Sequence, residues 1–165
     1  MAQNEAAVLS HVMDKSRQMT NIYLNLLQNT DLHKVYESEG VKLNSVFWIL
    51  AHLSVTENFL LLRSTGGENV KISWVRQFGL GSVPTAKEDC PPLDEVKAVF
   101  EEIHRKSIQH VATLPDAFLD EPNTTGFEFA GEKTVRAMIV HAIRHEGTHA
   151  GHLGWLCKLN GIKTM

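Results

Sequence analysis

The sequence predicts an all-α fold, a four-helix bundle, on three observations. Four segments repeat their apolar residues at intervals of three and four, Pro- and Gly-bearing connections separate them, and no series of alternating strands competes with them. At 165 residues the chain suits one domain over 1–165, large enough to bury a core without disulfides. A content of 43% hydrophobic and 21% charged residues is an ordinary globular balance, which excludes a disordered or fibrous chain.

The first helix is expected over roughly 4–29, with Leu9, Met13, Ser16, Met19, Tyr23, Leu26 and Leu27 on one side. A polar stretch, 31–42, leads to a second helix that begins at Asn44 or Ser45, either a good N-cap. Its inner face is read as Trp48, His52, Val55, Thr56 and Phe59, and Gly66-Gly67 ends it. Residues 66–92 form a long loop, in which Trp74 to Phe78 offer a short helix or turn and an apolar face for a dimer or a lid. The third helix shows the cleanest pattern, Leu93, Val96, Phe100, Ile103, Ser107, Val111 and Leu114. Pro92, Asp94 and Glu95 suit its positive N-terminal end and Pro115 its close. An irregular connection, 116–133, holds one candidate extended stretch at Phe127-Glu128-Phe129. The last helix opens at Thr134 and runs to about Leu159, before the stop signal Asn160-Gly161.

With a formal charge of -3 and Lys and Arg dispersed among acids, the chain lacks the basic stripe of a nucleic-acid binder. No uninterrupted apolar run approaches the roughly 20 residues of a membrane span, and the N-terminus does not read as a signal peptide. Cys90 and Cys157 are the two cysteines and have no CxxC spacing, which suits a reducing compartment. The expectation is a cytoplasmic protein without nucleic-acid or membrane partners.

Nine histidines are present, and four of them, His141, His145, His149 and His152, lie on the last helix. At about 100° per residue they share an arc about 80° wide, read as the buried side of the helix. Two imidazoles at i and i+4 stand one above the other and can reach a common ion. A third ligand must come from elsewhere, and His52, mid-helix on an apolar face, is the best candidate. Taken alone, an inward histidine is more often a core residue bonded to a carbonyl; four stacked imidazoles would repel one another on protonation, which makes a purely structural account poor. The stripe spans about 16 Å, too long for one ion to engage all four. His141 and His152 are therefore the candidate catalytic residues, lining a cavity or moving protons, with a fourth-ligand role as the alternative. His11, His33, His104 and His110 read as structural or solvent-facing; Arg144 and Glu146 beside the stripe read as solvent-facing charges, with a role in orienting substrate or the groups around the ligands as the alternative.

His145-Glu146-Gly147-Thr148-His149 matches the H-E-x-x-H pattern of zinc proteases. The longer form of that motif needs Gly and His where His152 and Trp155 stand, and no carboxylate follows Glu146 to serve as third ligand. Proteolysis is therefore set aside.

Two stretches resemble the DinB/YfiT-like family of metal-binding four-helix bundles. Trp48 to His52-Leu53 is similar to its W-x-x-x-H-L pattern. Thr134-Val135, His141 and His145-Glu146-Gly147-Thr148-His149-Ala150-Gly151-His152-Leu153 are similar to its terminal T-V…H-x-x-x-H-E-x-x-H-x-G-Q-L ending. The resemblance covers the whole chain and implies a metal triad of His52, His145 and His149, in agreement with the helical-face reading. It departs at His152, where the family usually has Gln. It also implies a range of activities, among them thiol-dependent S-transfer and isomerisation.

The functional expectation is a metal-dependent enzyme acting on a small molecule, a transferase using a low-molecular-weight thiol or else a hydrolase. The cofactor would be one divalent ion, Zn or Ni ahead of Fe or Mn, since imidazole-rich sites do not select by affinity alone. The alternative is a non-catalytic metal- or ligand-binding stress-related protein. A homodimer is also expected.

Overall fold

The computed structural model describes residues 4–164. Four long helices dominate it. α1 (Glu5–Leu27) opens behind Asn4, whose side chain accepts the Ala7 N–H. α2 (Val46–Glu57) opens behind Ser45, which decides between the two caps the sequence offered: its Oγ accepts the Trp48 N–H at 3.1 Å. α3 (Leu93–Ala112) follows Pro92, and α4 (Val135–Leu159) is capped by Thr134, which accepts the Ala137 N–H. α4 closes as the Asn-Gly signal requires. Gly161 takes φ +72°, the Ile162 N–H reaches the Cys157 carbonyl, and the Gly161 N–H reaches that of Lys158.

The second helix is not uniform. α2 runs on into a π-helical turn, Asn58–Arg63, where the Ser64 N–H donates to the Phe59 carbonyl five residues back. Such turns are rare and concentrate at functional sites; this one forms a wall of the main cavity.

α1 packs against α3 and α4, and so does α2, so that α1 and α2 lie diagonally across the bundle. Leu27, Phe47, Phe100 and Leu156 share one end of the core, while Ala6, Leu61, Val111 and Val135 share the other. Hence α1 and α4 run one way, α2 and α3 the other. Because α2 and α3 are parallel, the chain must return the full length of the bundle between them, which accounts for the long connection 64–92. A belt of polar side chains lies between the two apolar ends: Arg17, His52, Glu57, Glu146 and His149 are all buried.

Several expectations are corrected. On α1 the buried face is Ala6, Ser10, Met13, Arg17, Thr20 and Leu27, whereas Met19 and Leu26 are exposed. The buried face is displaced because Arg17 turns inward to meet carboxylates. Trp74 and Phe78 form neither an exposed dimer face nor a lid. Both are buried, Phe78 against Phe47, with the Trp74 indole N–H donating to Glu95 at 2.9 Å. The polar stretch before α2 contains a small hairpin, β1 (Glu37–Ser38) with β2 (Val41–Lys42), whose turn residues Glu39 and Gly40 both have positive φ. The stretch 127–129 yields only a single bridge, Phe129 to Glu132. Among the described residues one helical stretch, Val46–Arg63, is long and apolar enough on average to cross a membrane, although it contains no long apolar run. It is 83% buried inside the bundle, as the central helix of a core would be.

Candidate metal centre

His52 on α2 and His145 and His149 on α4 meet in the polar belt. One ligand-type atom from each lies within 4.8 Å of the others, and the ring centroids are 4.6 to 5.0 Å apart. The spacing of α4 explains half of this, since residues four apart rise one turn on the same face. The rest follows from α2 packing against α4 at the height of Trp48, which stacks on the His52 ring at 4.3 Å.

The hydrogen bonds around the rings define what they present to one another. His52 Nδ1 lies 2.7 Å from the Phe78 carbonyl oxygen. A carbonyl only accepts, so Nδ1 carries the hydrogen and Nε2 is left with a lone pair. Thr56 Oγ1 donates its one hydrogen to the His52 carbonyl at 2.8 Å, so toward His145 Nδ1, 3.5 Å away, it can only accept. In the tautomer of His145 that makes this contact, both Nε2 atoms, 3.1 Å apart, carry lone pairs; in the other, His145 Nε2–H donates to His52 Nε2. A tetrahedral ion with nitrogen ligands at about 2.0–2.1 Å would hold neighbouring nitrogens roughly 3.3 Å apart. The donor set therefore fits a divalent ion.

The electrostatics point the same way. Burial lowers the pKa of His52 despite the bond to Phe78. Burial, then the proximity of His52 and His141, brings His145 down to about 4. Burial, then His145, His52 and His152, brings His149 down to about 3. All three rings are neutral at pH 7, the state in which imidazole binds metal.

Behind the triad lies an ionic cluster that the sequence reading did not find. Arg17 crosses the bundle from α1 and grips the Glu146 carboxylate twice, Nε to Oε1 at 2.7 Å and Nη2 to Oε2 at 3.1 Å, while Nη2 also reaches Glu57 Oε2 at 2.6 Å. His104 on α3 meets the other Glu57 oxygen at 2.9 Å and Asp14 at 3.3 Å. Burial alone would raise the Glu57 carboxyl, but Arg17 and His104 outweigh it and hold it below its ordinary value. Glu146 is 1% exposed, so its reading as a solvent-facing charge is overturned; Arg144 is exposed as expected. The available signal was Arg17 itself, at helical spacing from Ala6, Ser10, Met13 and Thr20 on the inner stripe.

His141 stacks on Phe129 at 3.7 Å, its ring 5.9 Å from that of His145, and its buried Nδ1 has no partner. His152 is close to His149, Nδ1 to Nδ1 at 3.4 Å. It is exposed, however: the buried face of α4 continues through Leu153, Leu156 and Cys157, and His152 stands at the edge of that face, bordering a separate hollow with Leu43 and Trp155. Of the other histidines, His33 stacks on Phe47, His110 bonds to Thr65, and His11 is exposed.

A cavity of about 630 Å³ opens on the triad from one side, lined by His52, His145 and His141 together with Val55, Thr56, Phe59, Leu60 and Phe127. A family model described as the DinB superfamily matches residues 13–153, a span that contains all three triad histidines. No curated protein matches the chain.

Proposed function

The chain belongs to the DinB superfamily, and from that premise we propose that it is a metal-dependent enzyme acting on a small molecule, with transfer involving a low-molecular-weight thiol ahead of hydrolysis. The observation that carries this reading is the convergence of the three imidazoles, with His52 Nε2 and His145 Nε2 held 3.1 Å apart at the wall of a cavity. Three neutral imidazoles leave coordination positions free, the pattern of catalytic rather than structural sites. When bound, a divalent ion, zinc or nickel ahead of iron or manganese, supplies Lewis acidity that deprotonates water or a thiol near neutral pH.

The chain's own residues do the remaining work on this reading. The Phe78 carbonyl and Thr56 orient the His52 and His145 rings. Arg17 holds Glu146, and with it the turn of α4 between His145 and His149. His141 borders the cavity and is the residue proposed to take or give a proton there. His152, the other residue proposed for proton transfer, stands beyond His149 and can orient that ring. The free thiols Cys90 and Cys157 suit a cytoplasmic setting. A homodimer would use the exposed face of α1, where Val8, Val12, Met19, Ile22 and Leu26 recur at the three-and-four spacing of paired helices.

The test is elemental analysis of protein purified without a nickel column, followed by turnover assays pairing thiols with electrophiles and offering esters and amides. About one ion per chain is expected, lost in the His52→Ala/His149→Ala double variant while the helical circular dichroism is retained. Absence of metal in the native protein would end the proposal. Stoichiometric metal without turnover on any substrate would replace the enzyme by a binding protein.

A further inference from the structure

The main cavity is not electrically neutral, and its charge lies away from the histidines. Its lining includes Arg63 and Lys71 and no Asp or Glu. Among the described residues neither cation pairs with a carboxylate. The triad rings are neutral at pH 7, so the cavity carries uncompensated positive charge even before a metal enters.

The layout is directional. His52, Thr56, Phe59, Leu60 and Arg63 follow one another along a single face of α2 and its π-helical turn. At about 1.5 Å per residue Arg63 stands roughly 16 Å from His52 along the axis. The wall between them is apolar: Val55, Phe59 and Leu60 on the helix, Ile72, Val75 and Leu80 on the facing loop. That loop is held in place by the Asn58 amide, which donates to the Val70 carbonyl at 2.8 Å and accepts the Val70 N–H at 2.9 Å. Lys71, the next residue, follows this anchor on the cavity lining and is exposed.

We propose that the cavity takes an elongated apolar small molecule ending in a carboxylate, with the carboxylate held by Arg63 and Lys71 and the apolar segment running toward His52 and His145. A largely apolar cavity that bears two unpaired cations and no acid selects such a molecule over its uncharged analogue, because the apolar segment loses water contact along the wall while the anion gains partners. The inference rests on the preceding reading only for what happens at the histidine end.

The experiment is displacement of the uncharged fluorophore N-phenylnaphthylamine by decanoate and by decanol, on chelator-treated and zinc-loaded protein at pH 7.5. Decanoate is expected to displace the probe at about tenfold lower concentration than decanol in both forms, the size of effect that two partly exposed ion pairs supply. In Arg63→Gln/Lys71→Gln, both exposed positions, the preference should fall to about twofold or less with the melting temperature unchanged. Arg63→Glu/Lys71→Glu should favour decylamine instead. Equal displacement by decanoate and decanol, no displacement by either, or a preference that survives the double substitution would each overturn the inference. So would a preference present only with zinc and indifferent to Arg63 and Lys71, which would place the carboxylate on the metal. Failure of the protein to take up zinc, with the decanoate preference intact, would remove the metal reading and leave this one standing.

Discussion

The pKa values of the triad histidines connect stability to metal binding. Their folded-state pKa values lie below those of an unfolded chain, near 6.5 for imidazole. Between those values the unfolded state holds protons that the folded state refuses, so stability is fully present above about pH 6.5 and declines as pH falls. With His145 near 4 and His149 near 3, the decline should run through pH 6 to 4 and amount to a few kcal/mol. Calorimetric melting of metal-free protein across that range should show it, and His149→Gln should flatten it. The same neutrality predicts that zinc binding at pH 6.5 releases close to no protons from the triad. Titration calorimetry in buffers of differing ionisation enthalpy reads the total release; repeated at pH 5.5, below the titration of a metal-bound water, release approaching one proton per ion would contradict the neutral-ring assignment.

At the scale of elements, Arg17 joins α1 to α2 and α4, the two helices that carry the triad. Replacing it with Met leaves two carboxylates buried without their cation, an uncompensated charge that costs about 3–5 kcal/mol. Urea denaturation should register that loss, and adding Glu57→Gln and Glu146→Gln should restore most of it. Because Glu146 lies between two proposed ligands in sequence, Arg17→Met should also weaken zinc binding roughly 10–100-fold, as removal of groups that orient ligands does. Wild-type zinc affinity in a folded Arg17→Met protein would show that the cluster serves stability alone. The cap at Ser45 is a smaller contribution: Ser45→Ala should cost about 1 kcal/mol, and any larger loss of metal affinity would mean that the cap also sets the angle of α2 toward α4.

For the whole molecule, the parallel course of α2 and α3 puts α2 inside, covered by α3, α4 and the returning loop. Its amides should exchange most slowly, with those of α1's exposed face faster. The homodimer proposed on that face predicts that Val12→Glu/Ile22→Glu shifts sedimentation from dimer to monomer without changing zinc stoichiometry. A wild-type monomer at tens of micromolar would exclude it.

Periodicity and local signals in the sequence were sufficient for the number and order of the helices, the cap at Thr134, the stop at Gly161 and the neighbouring pair His145 and His149. All of these depend on contacts within a few residues of one another. Periodicity also pointed to His52, because an imidazole on an apolar helix face needs a partner. What depends on distant segments was decided by tertiary structure. Glu146 reads as a surface charge until the bundle brings it to Arg17, which the sequence reading did not single out; their burial is tolerable only because their charges offset one another. Trp74 and Phe78 sit in a segment with turn composition, yet fill the core because a loop returning along the bundle must cover α2. His152 shares the histidine arc but stands at the edge of the covered face, exposed while Leu153, Leu156 and Cys157 stay buried. Helical phase specifies direction around an axis, whereas only packing specifies what lies in that direction.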